Sequence, residues 1–297
     1  MDQPFFIPQS ASKRISELES GLNRIGQNWV EGIYLTGSIP LGDFYPAKSD
    51  IDFLILCKEF PENAVIAELD KLHNALEKRS GSPKLNGTYI TRENLQAGHL
   101  PTGQVLNYHE GRLTEGLFGM GAIALYELKT IAYTVMGVPS GNLPVDIELQ
   151  QVKDFMHDNI NSYWQKWINK HSSCTGRRWL MVLIPVLTEW AVLGVARQFY
   201  TLQTGEIASK MKAGQYCLEY VPAKYRDIIH QAIQIRKGEP ARFYPTVKKM
   251  YSIVPSMKRV TLTIDFVNYL IERFNQVYSV QTKLRTVHAF RGESNFL

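Results

Sequence analysis

Two different spacings of apolar residues alternate along the first third of the chain. Residues 12–30 and 65–79 carry apolar side chains every three or four positions, as one face of a helix requires. Residues 32–36, 51–56 and 85–91 are short runs rich in apolar and β-branched residues, which indicates strands. Because the run at 51–56 is almost continuously apolar, we expect that strand to be covered on both faces. The pattern predicts a mixed sheet with helices packed on it.

The pattern changes near residue 122, after which helical spacing dominates. A glycine-rich stretch at 111–121 indicates loop or edge structure, and a Pro/Gly/Ser segment at 140–144 marks a boundary. We therefore expect an α+β protein in which a mixed-sheet domain, residues 1–142, precedes an α-helical bundle, residues 143–297. The predicted helices of the second part of the chain are 122–137, 144–170, 178–204, 206–219, 223–237, 246–253 and 256–278.

Composition and charge narrow the class of protein. The 297 residues are 44% hydrophobic and 21% charged, values typical of globular proteins. The net charge of +5 is spread along the chain rather than collected in a tract, which argues against nucleic acid as the partner. The first twenty residues do not resemble a secretory signal, and no run of about 18 apolar residues occurs. We expect a cytoplasmic protein without a membrane segment.

The three cysteines support the same expectation. Cys57, Cys174 and Cys217 lie far apart, are odd in number and show no C-x-x-C spacing. A disulfide framework or a structural zinc site would need paired or closely spaced cysteines. We interpret these residues as packing residues.

Candidate chemistry is concentrated between two of the predicted strands, in the segment YLTGSIPLGDFYPAKSDIDFLIL, residues 34–56. Gly37 and Ser38 follow the first strand, and Asp50 and Asp52 open the second. Successive strand residues point to opposite faces, so Asp50 and Asp52 are expected to project from the same face, about 7 Å apart along the strand. The spacing predicts two carboxylates that converge on one point.

Two like charges beside an apolar strand are costly unless a cation neutralises them. Mg²⁺ is the natural candidate, because it is commonly bound by one or two carboxylates together with substrate phosphates. Gly37 allows close approach of the backbone to a phosphate, and the N–H and hydroxyl of Ser38 can donate hydrogen bonds to it. A D-x-D pair by itself is more often a solvated strand end. In order with the Gly-Ser turn, and at two strand edges, the pair predicts a metal-triphosphate site.

This motif resembles the signature of the nucleotidyltransferase superfamily, which is G-S, a loop, and D-x-D on the following strand. The chain is more closely similar to the aminoglycoside adenylyltransferases that modify streptomycin and spectinomycin. The likeness continues in VLGVARQFYTLQTGEIASKMKAGQYCLEYVPAKYRDIIHQAI, residues 192–233, where that family has an arginine, an aromatic residue, T-G, S/P-K and later L/V-P-x-x-Y. The resemblance extends from about residue 32 to residue 236.

The resemblance implies an ATP-dependent and Mg²⁺-dependent adenylyltransferase, of the kind that confers antibiotic resistance. Asp50 and Asp52 would be the catalytic metal ligands, and Arg197 and Lys210 would hold ATP phosphates together with Ser38. The nucleotide would bind in the cleft between the two domains. The acceptor would be a hydroxyl of a small molecule, with an aminoglycoside-type antibiotic as the best candidate. The sequence leaves the oligomeric state open.

Three positions depart from the pattern of that family. Asn86 stands where the family has a glutamate that acts as general base; an amide cannot accept that proton, so the base is supplied elsewhere, replaced by Asp50, Asp52 or water, or absent. Arg236 stands in place of a tyrosine that lies against the nucleotide. The position of an acidic residue that binds the acceptor falls near Leu187, two residues before Glu189.

These departures keep two alternatives open. Without a base, the protein would be a regulatory module that binds nucleotide or metal without turnover. A macromolecular acceptor, a protein or a nucleic acid, is the other alternative. Trp179 and Trp190 could line an acceptor pocket with Glu189, but packing in the core is the commoner fate of tryptophan in helices, and we expect it here. For Glu93 we expect an exposed position in a loop or at a helix start.

Overall fold

The computed structural model describes residues 7–26, 29–78, 83–96, 104–116, 121–172, 181–239 and 253–293. Contacts between backbone positions divide the chain into two compact units, Met1–Val152 and Lys153–Leu297. The first unit contains a sheet covered by helices, and the second unit is helical. The predicted α+β class, with a mixed sheet followed by helices, is confirmed.

Among the described residues, the sheet of the first unit has six strands in the order β5-β4-β3-β2-β1-β6. Only β2 and β3 pair in parallel, and every other neighbouring pair is antiparallel. The strand bounds are β1 Val30–Thr36, β2 Ile51–Cys57, β3 Leu85–Thr91, β4 Val105–His109, β5 Arg112–Gly116 and β6 Tyr133–Met136.

Two amphipathic helices cover one face of this sheet. Helix α1 spans Gln9–Ile25, and α2 spans Asn63–Glu77. Their apolar positions, for example Leu18 and Leu69, are at most 1% exposed and join the core formed by β2. Each such leucine contributes about 2 kcal/mol through removal of apolar surface from water. Two shorter helices, α3 Arg92–Gln96 and α4 Gly121–Thr130, complete the described part of the unit before residue 149.

The predicted helix at residues 122–137 is wrong in its second half. Helix α4 ends at Thr130, and the chain then forms β6, which pairs with β1 at the edge of the sheet. The segment Tyr-Thr-Val-Met is aromatic and β-branched, as strands prefer, but it is too short for its spacing to distinguish strand from helix. The glycine-rich stretch at 111–121 was expected to be loop or edge structure; its first part forms β5, the opposite edge strand of the sheet.

The second unit is arranged around one buried helix. Helix α7, Val186–Thr204, packs against α8, Lys210–Tyr220, against α9, Arg226–Lys237, and against α10, Ile253–Glu293. The chain enters the unit through α5, Leu149–Asn159, which continues through a π-helical turn into α6, Gln165–Ser172. The π-turn places Trp164 against α7, at Gly194.

Helix bounds in this unit follow the predicted segments to within a few residues at most ends. The largest shift is at α10, which ends at residue 293 instead of 278. Helix α7 begins at residue 186 instead of 178, and α5 begins at residue 149 instead of 144. The predicted helix at 246–253 lies almost entirely outside the described residues. Of the helices in the described part of the chain, none is both long enough and apolar enough to cross a lipid bilayer.

Candidate active site

The Gly37-Ser38 turn begins where β1 ends. Gly37 has a φ of +64°, in the left-handed region that side chains disfavour, and a Cβ there would collide with the carboxylate of Asp52. Its N–H donates a hydrogen bond to Oε2 of Glu127, a buried residue of α4, at 3.2 Å. The glycine is thus needed for two reasons: the backbone turns sharply, and the Asp52 carboxylate occupies the space of a side chain.

The loop from Ser38 to Ser49 is held by its own hydrogen bonds. The N–H of Asp43 donates to the Ser38 carbonyl at 2.9 Å, and the Ser49 N–H donates to the Tyr45 carbonyl at 2.7 Å. The Ser49 hydroxyl oxygen in turn accepts from the Tyr45 N–H at 3.0 Å. These bonds set the direction in which the chain enters β2, and therefore the position of the acidic pair.

Asp50 and Asp52 stand at the start of β2 with different exposures. Asp50 immediately precedes the strand and is exposed, whereas Asp52 is its second residue and is half-buried. Asp52 lies opposite Thr36 of β1 and beside Asn86 of β3 in the strand register. The structure therefore brings Asp52, Gly37 and the end of β1 together.

The donor set of this site suits Mg²⁺ with a phosphate-bearing ligand. Within the described ranges, no group of three or more His, Cys, Asp or Glu side chains could hold a metal ion. Mg²⁺ is commonly bound by one or two carboxylates and completes its shell with water and phosphate oxygens. The Ser38 hydroxyl is buried and has no hydrogen-bond partner among the described residues, which leaves it available as a donor.

A row of hydrogen-bonded side chains crosses three strands beside Asp52. Nδ2 of Asn86 donates to Oδ1 of Asp52 at 3.1 Å, and Oδ1 of Asn86 lies 3.0 Å from Nδ1 of His109 on β4. Asp52, Asn86 and His109 project from the same face, because they occupy matching positions of neighbouring strands. Asn86 thus links a carboxylate to an imidazole.

In the second unit, cations surround one buried carboxylate. Oε1 of Glu189 lies 2.9 Å from Nζ of Lys210 and 3.8 Å from a guanidinium nitrogen of Arg236. The side chains of Glu189 and Arg236 are 3% and 6% exposed, so both charges are withdrawn from water. A buried carboxylate requires such partners, since an unpaired buried charge is strongly destabilising.

The electrostatics of Lys210 show that this cluster has more positive than negative charge. Burial lowers the pKa of Lys210, Glu189 opposes this shift, and the charges of Arg197 and Arg236 lower the pKa further. Lys210 is the first residue of α8, whose N-cap hydroxyl, on Ser209, accepts from the Lys212 N–H at 3.1 Å. Lys210, Arg197 and Arg236 outnumber the single carboxylate of Glu189 beside a helix N-terminus. Such an environment favours the binding of an anion.

The other residues considered in the sequence analysis are two tryptophans and Glu93. Trp190 lies in an aromatic cluster with Trp164 and Trp167, with ring centroids 4.8 and 6.3 Å away. Trp190 is half-buried in this cluster and is not part of the core, while Trp179 lies outside the described residues. Glu93, in the first turn of α3, is exposed as expected.

The sequence patterns did not predict three features of these sites. Glu127 lies on a helix ninety residues beyond Gly37, and no local pattern connects the two. His109 is one of seven histidines in the chain, and no H-x-x-x-H or similar ligand spacing distinguishes it from the others. Glu189 was weighed as part of an acceptor pocket, whereas the structure pairs it with Lys210. Each of these relationships joins residues that are distant in sequence.

Two family models and one relative match large parts of the chain. A nucleotidyltransferase domain model matches residues 15–93, which include the Gly-Ser turn and both aspartates, and a model of the C-terminal domain of aminoglycoside adenylyltransferases matches residues 177–259. A spectinomycin 9-adenylyltransferase of Campylobacter jejuni is 24% identical over 269 residues, which cover 85% of this chain and 95% of that protein.

A solved structure has the same fold. A crystal structure of a spectinomycin adenyltransferase from Enterococcus faecialis, with ATP and spectinomycin, matches with a TM-score of 0.66 at 20% identity. The match covers 88% of this chain and 99% of that chain. Together these matches support a nucleotidyltransferase. Among the nucleotidyltransferases, the chain resembles the aminoglycoside adenylyltransferases.

Proposed function

We propose that this protein transfers the AMP group of ATP to a hydroxyl of an aminoglycoside-type antibiotic, and that spectinomycin is the first acceptor to test. The observation that carries the proposal is the packing of the Asp52 carboxylate against Gly37, with Asp50 two residues before it. The two relatives described above, whose names specify spectinomycin, support the choice of acceptor. The proposal includes a cytoplasmic location, where ATP is supplied.

In this proposal Asp50 and Asp52 hold Mg²⁺, which when bound neutralises triphosphate charge and polarises the α-phosphate. The half-buried position of Asp52 limits competition from water for its oxygens. The hydrogen bond from Asn86 fixes one carboxylate oxygen, Oδ1, and so orients the other. Such orientation of a ligand by a neighbouring group is a general requirement of metal sites.

In this proposal one hydroxyl and two cations position the triphosphate. The unpartnered Ser38 hydroxyl can donate to a phosphate oxygen, and Arg197 and Lys210 supply positive charge. An acceptor oxygen then attacks the α-phosphorus in line; the new O–P bond forms as the bond to the pyrophosphate oxygen breaks. Cations stabilise the charge that develops on the departing pyrophosphate.

The test measures transfer directly. Purified protein is incubated with ATP, Mg²⁺ and spectinomycin, streptomycin or a panel of other aminoglycosides, and products are followed by pyrophosphate release and by mass spectrometry of the acceptor. We expect an adenylylated acceptor with wild type and a loss of at least about 100-fold in kcat with Asp52→Asn. Asp265→Asn, an exposed aspartate of α10, is the matched control and should keep wild-type activity.

Other results would reject the proposal. Transfer that survives Asp52→Asn would contradict the metal assignment. ATP binding without transfer to any acceptor would instead favour a nucleotide-binding regulatory module, the alternative that Asn86 raises. Transfer to a protein or nucleic acid, and not to the antibiotics, would favour a macromolecular acceptor.

A further inference from the structure

The orientation of the Asn86 amide follows from its neighbours. An ionised carboxylate can only accept hydrogen bonds, so the group of Asn86 that faces Asp52 must be the NH₂ donor. The carbonyl Oδ1 then faces His109, at 3.0 Å from Nδ1. Because Oδ1 can only accept, Nδ1 of His109 must carry the proton. The neutral imidazole is thereby held in one tautomer, whose lone pair is on Nε2.

The Nε2 atom of His109 is open to a ligand. The side chain is 67% exposed, and Oε1 of Glu110, the adjacent carboxylate, lies 3.9 Å from Nε2, beyond hydrogen-bond range. The backbone of His109 is set by its pairing with Arg112 across the tight β4–β5 hairpin, where Glu110 and Gly111 have φ values of 50° and 77°. The pairing of β4 with β5 thus fixes the backbone that carries the Nε2 atom of His109.

His109 is also correctly placed relative to the acidic pair. It lies two strands from Asp52 on the same face of the sheet, which corresponds to about 10 Å between backbones. A neutral imidazole is the usual proton acceptor near neutral pH. The carboxylates nearest the turn have other functions: Asp50 and Asp52 are the proposed metal ligands, and Glu127 accepts from the Gly37 N–H.

From these observations we infer that His109 is the general base of the transfer reaction, and that Asn86 is the positioning residue that holds its tautomer. The inference rests on the proposed function and supplies the proton acceptor that an amide at position 86 cannot provide. The acceptor O–H bond breaks and its proton passes to Nε2 of His109 as the oxygen forms its bond to the α-phosphorus. Pyrophosphate leaves with the electron pair of the broken P–O bond, and the imidazolium then returns its proton to solvent.

The first experiment measures the kinetics of His109 variants with ATP, Mg²⁺ and whichever acceptor wild type modifies. We expect His109→Gln to lower kcat by about 100-fold or more, without a matching change in KM for ATP. His230→Gln, at an exposed histidine of α9, is the matched control and should behave like wild type. Added imidazole should restore part of the activity of His109→Ala, which leaves space for it, and not of His109→Gln.

The second experiment does not depend on turnover. Long-range ¹H–¹⁵N NMR spectra, recorded where imidazole is neutral and assigned with His109→Gln, should show His109 with its proton on Nδ1. In Asn86→Ala the acceptor for that proton is lost, so His109 should shift toward the mixture of tautomers of a free imidazole. The same variant should lower kcat while His230→Gln does not.

The outcomes separate the two proposals. If wild type transfers AMP and His109→Gln retains a kcat within about threefold of it, the base assignment is wrong and the proposed function stands. A His109 proton on Nε2 in wild type would overturn the tautomer argument. If wild type transfers AMP to no acceptor, the proposed function fails and the base assignment fails with it.

Discussion

Asn86 donates a hydrogen bond from its side-chain amide to the carboxylate of Asp52, at 3.1 Å, between two parallel strands. Asn86 is a neutral donor at a position where a carboxylate would add a third negative charge beside Asp50 and Asp52. The Asn86 amide therefore supplies a hydrogen-bond donor to one oxygen of the Asp52 carboxylate. We therefore expect a substitution at position 86 to alter how strongly the proposed site binds cations.

Asn86→Asp replaces this donor with a second acceptor and sets two carboxylates against each other. We expect the variant to be less stable than wild type in EDTA, by about 1–2 kcal/mol, because like charges at this distance repel. Mg²⁺ should raise the melting temperature of the variant more than that of wild type, since a third carboxylate strengthens the site. Thermal denaturation in EDTA and in millimolar Mg²⁺ gives both values.

The chain contains a matched control for this substitution. Asn74 donates to Asp70 at 2.9 Å on the exposed face of α2, so Asn74→Asp creates the same pair of residue types in water. Its melting temperature should respond to Mg²⁺ as that of wild type does. Equal responses of the two variants would show that position 86 is not part of a cation site.

Gly37→Ala should damage both stability and activity. The residue has a positive φ, and the new methyl group would meet the Asp52 carboxylate. Gly42 also has a positive φ, +67°, but a Cβ there would meet no atom within 4 Å. We expect Gly42→Ala to cost about 1 kcal/mol in urea denaturation, and Gly37→Ala to cost about 3 kcal/mol and to abolish transfer. Similar effects of the two variants would mean that crowding at Asp52 is unimportant.

Glu189→Gln tests the buried charge cluster. The substitution leaves the Lys210 and Arg236 side chains, 19% and 6% exposed, without their carboxylate. We expect the free energy of unfolding to fall by about 3 kcal/mol, as for other buried pairs that lose one partner. Glu206→Gln removes the carboxylate of an exposed pair with Lys212, 3.1 Å apart, and should change stability little. Equal unfolding curves for the two variants would contradict the structural role of Glu189.

His73 predicts how stability changes with pH. It is 1% exposed, stacks on Tyr108 and hydrogen-bonds the Tyr89 hydroxyl at 2.7 Å. Burial lowers the pKa of His73 to about 3, and the charge of Arg14 acts in the same direction. Because the unfolded histidine has a pKa of about 6.5, the unfolded chain binds the proton more readily below that pH, and stability falls as pH decreases from about 6.5 toward 3.

The size of this effect can be measured by urea denaturation at a series of pH values. Between pH 7 and pH 5, His73 should account for a loss of about 2 kcal/mol in the free energy of unfolding. His73→Gln keeps a polar side chain but cannot titrate, so its stability should decrease less over the same interval. Parallel curves for wild type and variant would show that His73 is accessible to protons in the folded state.

Much of the fold followed from local patterns. The apolar spacing of α1, α2 and β2 is a property of short segments, and their bounds were predicted to within five residues. The exceptions are β4, for which no strand was predicted, and β6, four residues whose identity as a strand depends on pairing with β1. Short segments have too few positions for their periodicity to be decisive, so a partner strand decides their conformation.

The sequence by itself determined which residues of the first unit are candidates for the active site. It placed Gly37 and Ser38 at the end of one strand and Asp50 and Asp52 at the start of the next, because both the glycine turn and the D-x-D spacing are local. It also showed that position 86 lacks a carboxylate. Local order along the chain is sufficient for such statements, since each concerns residues within a few positions of one another.

Only the tertiary structure decided how these residues are used. The link from Asp52 through Asn86 to His109 depends on which strands are neighbours and in what register. The pairing of Glu189 with Lys210 depends on how α7 and α8 pack. The physical reason is that hydrogen bonds and buried ion pairs act over a few ångströms, and only the folded chain brings residues that are 21 to 34 positions apart within that distance.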